Sequence, residues 1–119
     1  MKKAENNRYG LSERSIQELY AIFKKHPDIR RVHLFGSRAK GNYKTGSDID
    51  LAVINTGLQP KTISRVLSEC AESSLPVAVD LVDFNALTNQ AFIDHIKRVG
   101  VLFYIAESSN PDNTTGKNN

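Results

Sequence analysis

The sequence predicts an α/β fold of the α+β kind, in which helices pack on a small mixed β-sheet. The chain has 119 residues, which is enough for one domain with its own core and too few for two. Its apolar content of 39% and its mixed charges indicate a globular body. Runs with the helical period and short runs typical of strands follow one another in the order helix, strand, strand, helix, strand, helix, strand.

Three segments carry apolar residues at the helical spacing of three and four. The first is expected to begin after Ser12, a favourable N-cap, and to end before Pro27. The second covers residues 61–72 and the third covers residues 86–98, which Gly100 can close. The apolar side chains that define these helices are, in chain order, Ile16, Leu19, Tyr20, Phe23, Ile63, Val66, Leu67, Cys70, Ala71, Leu87, Phe92, Ile93 and Ile96.

Four short runs rich in apolar and β-branched residues predict strands. They cover residues 32–35, 48–54, 77–82 and 101–106. The N-terminal residues 1–10 and the tail 107–119 are polar and offer almost nothing to bury. We therefore expect a flexible N-terminus and a disordered tail on either side of a folded domain over residues 11–106.

Composition and charge indicate which partners and which compartment to expect. The net charge of +3 is small, and the lysines and arginines form no stripe with interleaved aromatics, so we expect a solvated surface and no DNA binding. The only cysteine, Cys70, excludes an intrachain disulfide and suits a buried thiol in a reducing cytoplasm. The sequence shows no signal peptide and no apolar run of membrane-spanning length, so we expect a cytoplasmic protein without a membrane segment.

Two aspartates alternate at the start of the second predicted strand. Because alternate residues of a strand point to the same face, Asp48 and Asp50 are expected to project together. At a separation of about 4 Å their repulsion costs about 4 kcal/mol for an effective dielectric constant near 20. Asp80 interrupts the apolar third strand and could face this pair from a neighbouring strand. Carboxylate oxygens suit Mg²⁺, and three carboxylates can ligate two ions, so all three are candidate metal ligands and catalytic residues.

The segment that joins the first two strands is predicted to be a polar loop with glycines. It opens with Gly36 and Ser37, whose backbone N–H groups and hydroxyl can approach phosphate oxygens closely. Arg38 follows at once and is the candidate cation for the phosphates, whereas Lys40 and Lys44 are expected to be solvated. Phosphate groups on one side of the aspartates and metal on the other indicate a nucleoside triphosphate site.

Each of these signals has a simpler explanation when it stands alone. A Gly-Ser dipeptide is a common turn, an Asp-x-Asp pair often caps a strand, and Asp80 alone could form a buried ion pair. Asp83 is expected to cap the turn after its strand rather than to bind metal. The three histidines, His26, His33 and His95, lack the spacing of a zinc site. A phosphatase of the Asp-x-Asp type would carry the pair after a strand, and a sugar transferase would need a larger domain.

The string FGSRAKGNYKTGSDIDLAV resembles the signature of the DNA polymerase β-like nucleotidyltransferase superfamily, and in particular its small stand-alone members, the minimal nucleotidyltransferases (MNT). The resemblance runs over residues 11–105. It implies a fold like the polymerase β palm, with Gly36 and Ser37 holding the triphosphate. It further implies that Asp48 and Asp50 bind two Mg²⁺ ions and that Asp80 supplies the third acid of the site.

The resemblance also implies a partner. Small members of the superfamily commonly work beside a separately encoded helical protein of the HEPN type. Several such pairs are toxin–antitoxin systems in which the MNT protein modifies the toxin with AMP. We therefore expect Mg²⁺-dependent transfer of a nucleoside monophosphate, AMP from ATP, to a hydroxyl on a partner protein or small molecule, with Asp80 as general base. The alternative is a non-catalytic, nucleotide-binding antitoxin or regulatory subunit that covers its partner, and a homo-oligomer is left open.

Overall fold

The computed structural model describes residues 8–107, and this part of the chain contains four helices and four strands. The helices are α1 (Glu13–Lys24), α2 (Gly36–Lys40), α3 (Thr62–Ala71) and α4 (Gln90–Val99). The strands are β1 (Arg31–Phe35), β2 (Ile49–Val53), β3 (Val79–Asp83) and β4 (Val101–Ile105). Short 3-10 turns lie at Arg8–Gly10 and Phe84–Ala86. The predicted α/β class is confirmed.

The strands form one mixed sheet in the order β3–β2–β1–β4. β1 pairs antiparallel with both β2 and β4, whereas β2 and β3 run parallel. Parallel neighbours require a crossover connection, and the segment containing α3 supplies it. β2 therefore lies inside the sheet, with the end of β1 beside its first residues on one side and the start of β3 beside them on the other.

The two faces of the sheet carry apolar layers of unequal size. On one face, α1 and α3 enclose the larger core around Leu34 and Leu51. On the other face, a smaller cluster joins Phe35 of β1 and Ala52 of β2 to Ile96 of α4. Side chains on neighbouring positions of β2 therefore point into different layers, as the pleat of a strand requires.

Helix α2 replaces the first part of the predicted loop, which opens with Gly36 and Ser37. It follows β1 directly, since Gly36 turns the chain at a φ of 75° and Gly41, at a φ of 87°, ends the helix. A five-residue segment with a single apolar side chain, Ala39, shows no helical periodicity. The local turns at its two glycines form this helix, and the apolar pattern does not report them.

Strands β2 and β3 begin later than predicted. β2 starts at Ile49, so Asp48 lies just before the strand instead of within it. β3 covers Val79–Asp83 instead of residues 77–82. The parallel ladder starts with Ile49 opposite Val79. Pairing with a neighbour decides where a strand begins, and an apolar run alone does not contain that information.

The ends of the helices follow their capping residues. Ser12 caps α1 as predicted, since its hydroxyl accepts a hydrogen bond from Ser15 N at 3.1 Å. α4 begins at Gln90, later than the predicted residue 86, because the side chain of Asn89 caps it by accepting from Phe92 N at 2.9 Å. Residue 86 belongs to the preceding 3-10 turn instead.

Residues 1–7 and 108–119 lie outside the described residues, so the flexible N-terminus, the disordered tail and the domain bounds 11–106 stay predictions. Within residues 8–107, the structure contains no helix with both the length and the apolar character that crossing a membrane requires.

Candidate active site

The junction of β1 and α2 touches the start of β2 at Gly36. Its φ of 75° lies in the left-handed region, which glycine adopts without strain. A Cβ on Gly36 would overlap Oδ2 of Asp50, so the main chain lies directly against this carboxylate. Phe35, which ends β1, is also the antiparallel partner of Asp50. The structure therefore brings the Gly-Ser pair and the second predicted aspartate together.

Strands β2 and β3 place the second and third predicted carboxylates side by side. Asp50 is the ladder partner of Asp80. By strand alternation both side chains lie on the face that carries α4, the same face as Ala52 and Val82. Asp48 lies immediately before β2, and Asp48 and Asp80 are exposed whereas Asp50 is half-buried. All three carboxylates thus lie at one end of the β2–β3 pair.

These three carboxylates act on one another electrostatically. Burial raises the pKa of Asp50 above its usual value, and the negative charges of Asp80 and then Asp48 raise it further. The positive charges of Arg38 and His95 oppose this rise in the pKa. The ionised form of Asp50 is therefore disfavoured in the folded protein, and a bound divalent cation would relieve that cost.

The donor set fits Mg²⁺ when substrate oxygens are counted with it. Among residues 8–107, no group of three or more His, Cys, Asp or Glu side chains is placed so that it could hold a metal ion. Mg²⁺, however, is usually bound through one or two carboxylates together with substrate phosphates, and less often in a cage of protein ligands. Asp50 and Asp80, with Asp48 beside them, offer hard oxygens and uncompensated negative charge of this kind.

The first turn of α2 lies against the Asp50 carboxylate. No side chain caps this turn, whose N-cap residue is Phe35, so its first N–H groups have neither a helical nor a capping partner. The far end of the helix is closed, because the Ser37 carbonyl accepts hydrogen bonds from Gly41 N at 2.9 Å and from Asn42 N at 3.1 Å. The contact of Gly36 and Ser37 with phosphate stays a prediction, and the position of α2 beside Asp50 supports it.

Arg38 makes contacts that the sequence does not predict. Its side chain is only 4% exposed. Nε and Nη2 donate to the Ser47 carbonyl at 3.1 and 2.7 Å, and Nη1 donates to the carbonyls of Tyr9 and Gly10 at 3.0 and 3.2 Å. The nitrogens proposed for phosphate are therefore bonded to the main chain in this structure. Sequence reasoning has no signal for this arrangement, because any residue can supply a backbone carbonyl.

His95 is a residue at this site that sequence reasoning considered only as a zinc ligand. It belongs to α4, and its ring meets the ring of Phe35 edge-on, with the centroids 6.2 Å apart. From there its positive charge, when present, lowers the pKa of Asp50. The spacing of the histidines in the sequence gives no indication of this position, which depends on how α4 packs on the sheet.

The other charged side chains considered from the sequence behave as expected. Asp83 caps the 3-10 turn, since its Oδ1 accepts a hydrogen bond from Asn85 N at 3.1 Å. Lys40 and Lys44 are exposed, in agreement with their predicted solvation. The carboxylate of Asp83 is not among the charges that raise the pKa of Asp50, so it is separate from the cluster.

The three aspartates line neither of two sizeable cavities of the protein. One cavity of about 660 Å³ lies between α1 and β4, and another of about 440 Å³ lies beside the start of α3. Each is lined by a single carboxylate, Glu107 or Asp28. We place the candidate site at the aspartates because Asp50, its ladder partner Asp80 and the Gly36 turn lie together there, whereas volume alone favours the other two positions.

Comparison with known proteins places this arrangement among nucleotidyltransferases. A family model described as "Polymerase beta, Nucleotidyltransferase" matches residues 17–109. A curated relative from Haemophilus influenzae, "Probable protein adenylyltransferase MntA", is 39% identical over 79 residues, which are 66% of this chain and 68% of the relative.

Solved structures with the same fold include two complexes. A toxin–antitoxin crystal structure with AMP-PNP superimposes with a TM-score of 0.62 at 22% identity, covering 79% of this chain and 76% of that chain. A structure of a tri-AMPylated Shewanella oneidensis HEPN toxin in complex with an MNT antitoxin gives a TM-score of 0.58 at 19% identity, covering 82% of this chain and 75% of that chain. At these identities the two likenesses show the fold.

Proposed function

Because this chain belongs to the polymerase β family of nucleotidyltransferases, we propose that it is a Mg²⁺-dependent enzyme that transfers AMP from ATP to a hydroxyl group on a helical protein of the HEPN type. The observation that carries the proposal is the pairing of Asp50 with Asp80 against the Gly36 turn. The Haemophilus influenzae relative is named a probable protein adenylyltransferase, and one structural neighbour contains a tri-AMPylated HEPN toxin. These names support AMP as the group transferred and a HEPN protein as the acceptor.

The residues have distinct roles in this proposal. Asp48, Asp50 and Asp80 hold the metal, and Gly36 and Ser37 orient the triphosphate at the first turn of α2. Mg²⁺, when bound, neutralises the charge of the triphosphate and of the departing pyrophosphate. The raised pKa of Asp50 supports this assignment, since the folded protein bears a cost for ionised Asp50 that a cation would offset.

In the reaction, the oxygen of the acceptor hydroxyl forms a bond to the α-phosphorus of ATP. The bond from that phosphorus to the oxygen bridging the β-phosphate breaks, and pyrophosphate leaves with its electron pair. The hydroxyl proton passes to Asp80 as general base. Asp80 is exposed whereas its ladder partner Asp50 is half-buried, so of these two carboxylates Asp80 is the more accessible to a hydroxyl on another protein.

The exposure of Asp48 and Asp80 favours a protein acceptor over a small molecule. Small ligands usually bind in concave cavities that bury most of their surface. Neither of the two cavities described above includes Asp48, Asp50 or Asp80 in its lining. A partner protein that covers the exposed carboxylates can both present its hydroxyl and exclude water from the reacting phosphate.

The proposal is tested by incubating the chain and its co-purifying HEPN-type protein with Mg²⁺ and each of the four nucleoside triphosphates, followed by mass spectrometry of that protein. We expect addition of AMP with ATP. Asp48→Asn should abolish the addition while leaving the circular dichroism spectrum unchanged. Asp83→Asn is the matched control and should retain activity, because asparagine can still cap the turn at Asn85. Undiminished labelling by Asp48→Asn would contradict the metal assignment.

A non-catalytic antitoxin is the second candidate, and one feature of the surface favours it. The outermost strand β4 exposes 45% of Leu102 and 52% of Ile105, beside the cavity between α1 and β4. Such apolar side chains could cover a partner without any chemistry. In this case neither protein transfers AMP, and the Asp48→Asn protein neutralises and binds its partner as well as the wild type does.

A further inference from the structure

We propose that Arg38 is a positioning residue for the metal ligand Asp48, because its buried guanidinium fixes the main chain immediately before that aspartate. The inference rests on the proposed function only in taking Asp48 as a metal ligand. It assigns to Arg38 a contact with the protein's own backbone in place of the phosphate contact that the sequence indicates.

The guanidinium of Arg38 is hydrogen-bonded to the main chain just before Asp48. Nε and Nη2 both donate to the Ser47 carbonyl, at 3.1 and 2.7 Å. That carbonyl belongs to the peptide unit that joins Ser47 to Asp48. Two donors on one oxygen fix the orientation of this peptide plane, and the plane sets the direction in which the Asp48 side chain leaves the backbone.

Another nitrogen of the same guanidinium is hydrogen-bonded to the turn at Tyr9 and Gly10. Nη1 donates to the carbonyls of Tyr9 and Gly10, at 3.0 and 3.2 Å. Both residues are left-handed, with φ values of 60° and 70°, and a left-handed tyrosine is uncommon. A Cβ on Gly10 would lie 2.9 Å from Arg38 Nη1 and 2.5 Å from Tyr43 Cε1, so the turn is shaped closely around the arginine.

The segment that leads to Asp48 is exposed to solvent and is held by short-range backbone hydrogen bonds. Residues 41–46 are exposed, and the segment reaches Asp48 through a turn in which Lys44 N donates to Ser47 Oγ at 2.9 Å. The Tyr43 ring covers the guanidinium, 5.3 Å from Cζ to the ring centroid. Arg38 is therefore the buried point to which this exposed segment is attached, just before the ligand.

Lysine cannot replace arginine in this role. A guanidinium presents donors on a rigid planar fork, whereas the single nitrogen of lysine cannot bridge Ser47 on one side and the Tyr9–Gly10 turn on the other. Arg38→Lys therefore keeps the positive charge near the carboxylates and removes the fork. This substitution separates a positioning role from a purely electrostatic one.

The test measures binding of Mn²⁺, a paramagnetic substitute for Mg²⁺, by electron paramagnetic resonance with and without AMP-PNP. Loss of residues that orient metal ligands typically weakens metal binding about 10- to 100-fold, and we expect Arg38→Lys to fall in this range. Hydrogen exchange of residues 41–48 should increase in the same variant. Arg14→Lys, an exposed arginine on α1, is the matched control and should bind Mn²⁺ as the wild type does.

The possible results discriminate among the roles. If Arg38→Lys lowers thermal stability while its Mn²⁺ affinity stays at the wild-type value, Arg38 is merely structural and the inference is overturned. It is also overturned if nucleotide affinity falls and metal affinity does not, since Arg38 is then a phosphate ligand. Should Arg38→Lys fail to fold, Gly10→Ala and Tyr43→Leu disturb the same cluster from its other sides, and unchanged Mn²⁺ binding in both refutes the inference.

Mn²⁺ binding and AMP transfer, measured side by side, separate this inference from the proposed function. If Arg38→Lys binds Mn²⁺ more weakly than the wild type, and the wild type transfers no AMP in the labelling assay, the inference is supported and the proposed function is contradicted. If the wild type transfers AMP and Arg38→Lys binds Mn²⁺ as the wild type does, the proposed function is supported and the inference is contradicted. A wild type that binds no Mn²⁺, even with AMP-PNP present, overturns the inference through Asp48.

Discussion

Replacing Asp50 with asparagine should stabilise the metal-free protein at neutral pH. Asparagine has nearly the same shape and no charge, so the substitution removes both causes of the raised pKa of Asp50, which are the burial of its charge and the repulsion from Asp80 and Asp48. Neighbouring strands lie about 4.8 Å apart, and two unit charges about 5 Å apart repel by about 3 kcal/mol at a dielectric constant of 20 and by less than about 1 kcal/mol in water. Because Asp80 is exposed and screened by solvent, we expect a gain of about 1 kcal/mol.

The pH dependence of this gain has a definite sign. The pKa of Asp50 is raised in the folded state above the ordinary aspartate value of 3.8, so the native protein takes up the proton more readily than the unfolded chain. The cost of the charge is complete above the folded-state pKa. It decreases as the pH falls through that pKa, and it is lost below 3.8. The advantage of Asp50→Asn should therefore be present at neutral pH and vanish at acid pH.

The measurement is the free energy of unfolding from urea titrations of the wild type, Asp50→Asn and the control Asp83→Asn, in the presence of a chelator. A gain of about 1 kcal/mol corresponds to a rise in Tm of roughly 4–8 °C for a domain of this size. Adding Mg²⁺ with AMP-PNP should stabilise the wild type and not Asp50→Asn. The reasoning is refuted if Asp50→Asn is less stable than the wild type at neutral pH, or if its advantage persists unchanged at acid pH.

Three further outcomes follow from other contacts. Gly36→Ala should cost at least about 1–2 kcal/mol of stability and abolish AMP transfer, because alanine disfavours a φ of 75° and its Cβ overlaps the Asp50 carboxylate; urea titration and labelling test both effects. Asn55→Ala should cost about 1–3 kcal/mol in urea titration, because Asn55 Oδ1 accepts hydrogen bonds from Arg30 N and Arg31 N at 2.8 and 2.9 Å. Mn²⁺ affinity should be unchanged, because Asn55 follows the end of β2 opposite to Asp50. Burial raises the pKa of Cys70 to about 11, so iodoacetamide near neutral pH should modify this thiol only after unfolding, as mass spectrometry can show.

The elements with an apolar pattern could be predicted from the sequence, and those set by local turns could not. Ser12 and the stripe of α1 indicate that helix directly, because a cap and a buried face both leave marks in the sequence. Helix α2 leaves no such mark, since it depends on the left-handed Gly36 and Gly41 at its ends. The late start of α4 depends on the Asn89 cap, which competes with an apolar run that begins earlier.

For the site, alternation along the second strand predicted that Asp48 and Asp50 project together and that Asp80 could face them from a neighbouring strand. It could not predict that Asp48 precedes β2 or that Asp50 is the ladder partner of Asp80, because the start of a strand and its register arise from the packing of β2 against β3. Arg38 shows a different limit of the sequence. Its position after the Gly-Ser pair suggests a phosphate ligand, yet its partners are three main-chain carbonyls that no residue pattern can reveal.

The two ends of β2 differ in whether the protein itself stabilises the polar and charged groups that lie there. After the strand, Asn55 Oδ1 accepts from Arg30 N and Arg31 N, while Asn55 Nδ2 donates to the Asp28 carbonyl at 2.8 Å. At the start of the strand lies the Asp50 carboxylate, whose pKa is raised by burial and by the charges of Asp80 and Asp48, and the Gly36 main chain lies directly against it. Both ends share one core, so this unfavourable charge does not reflect poor packing of the domain as a whole. It lies on the side where metal and triphosphate are proposed to bind, as expected when binding, rather than folding, supplies the compensating interaction.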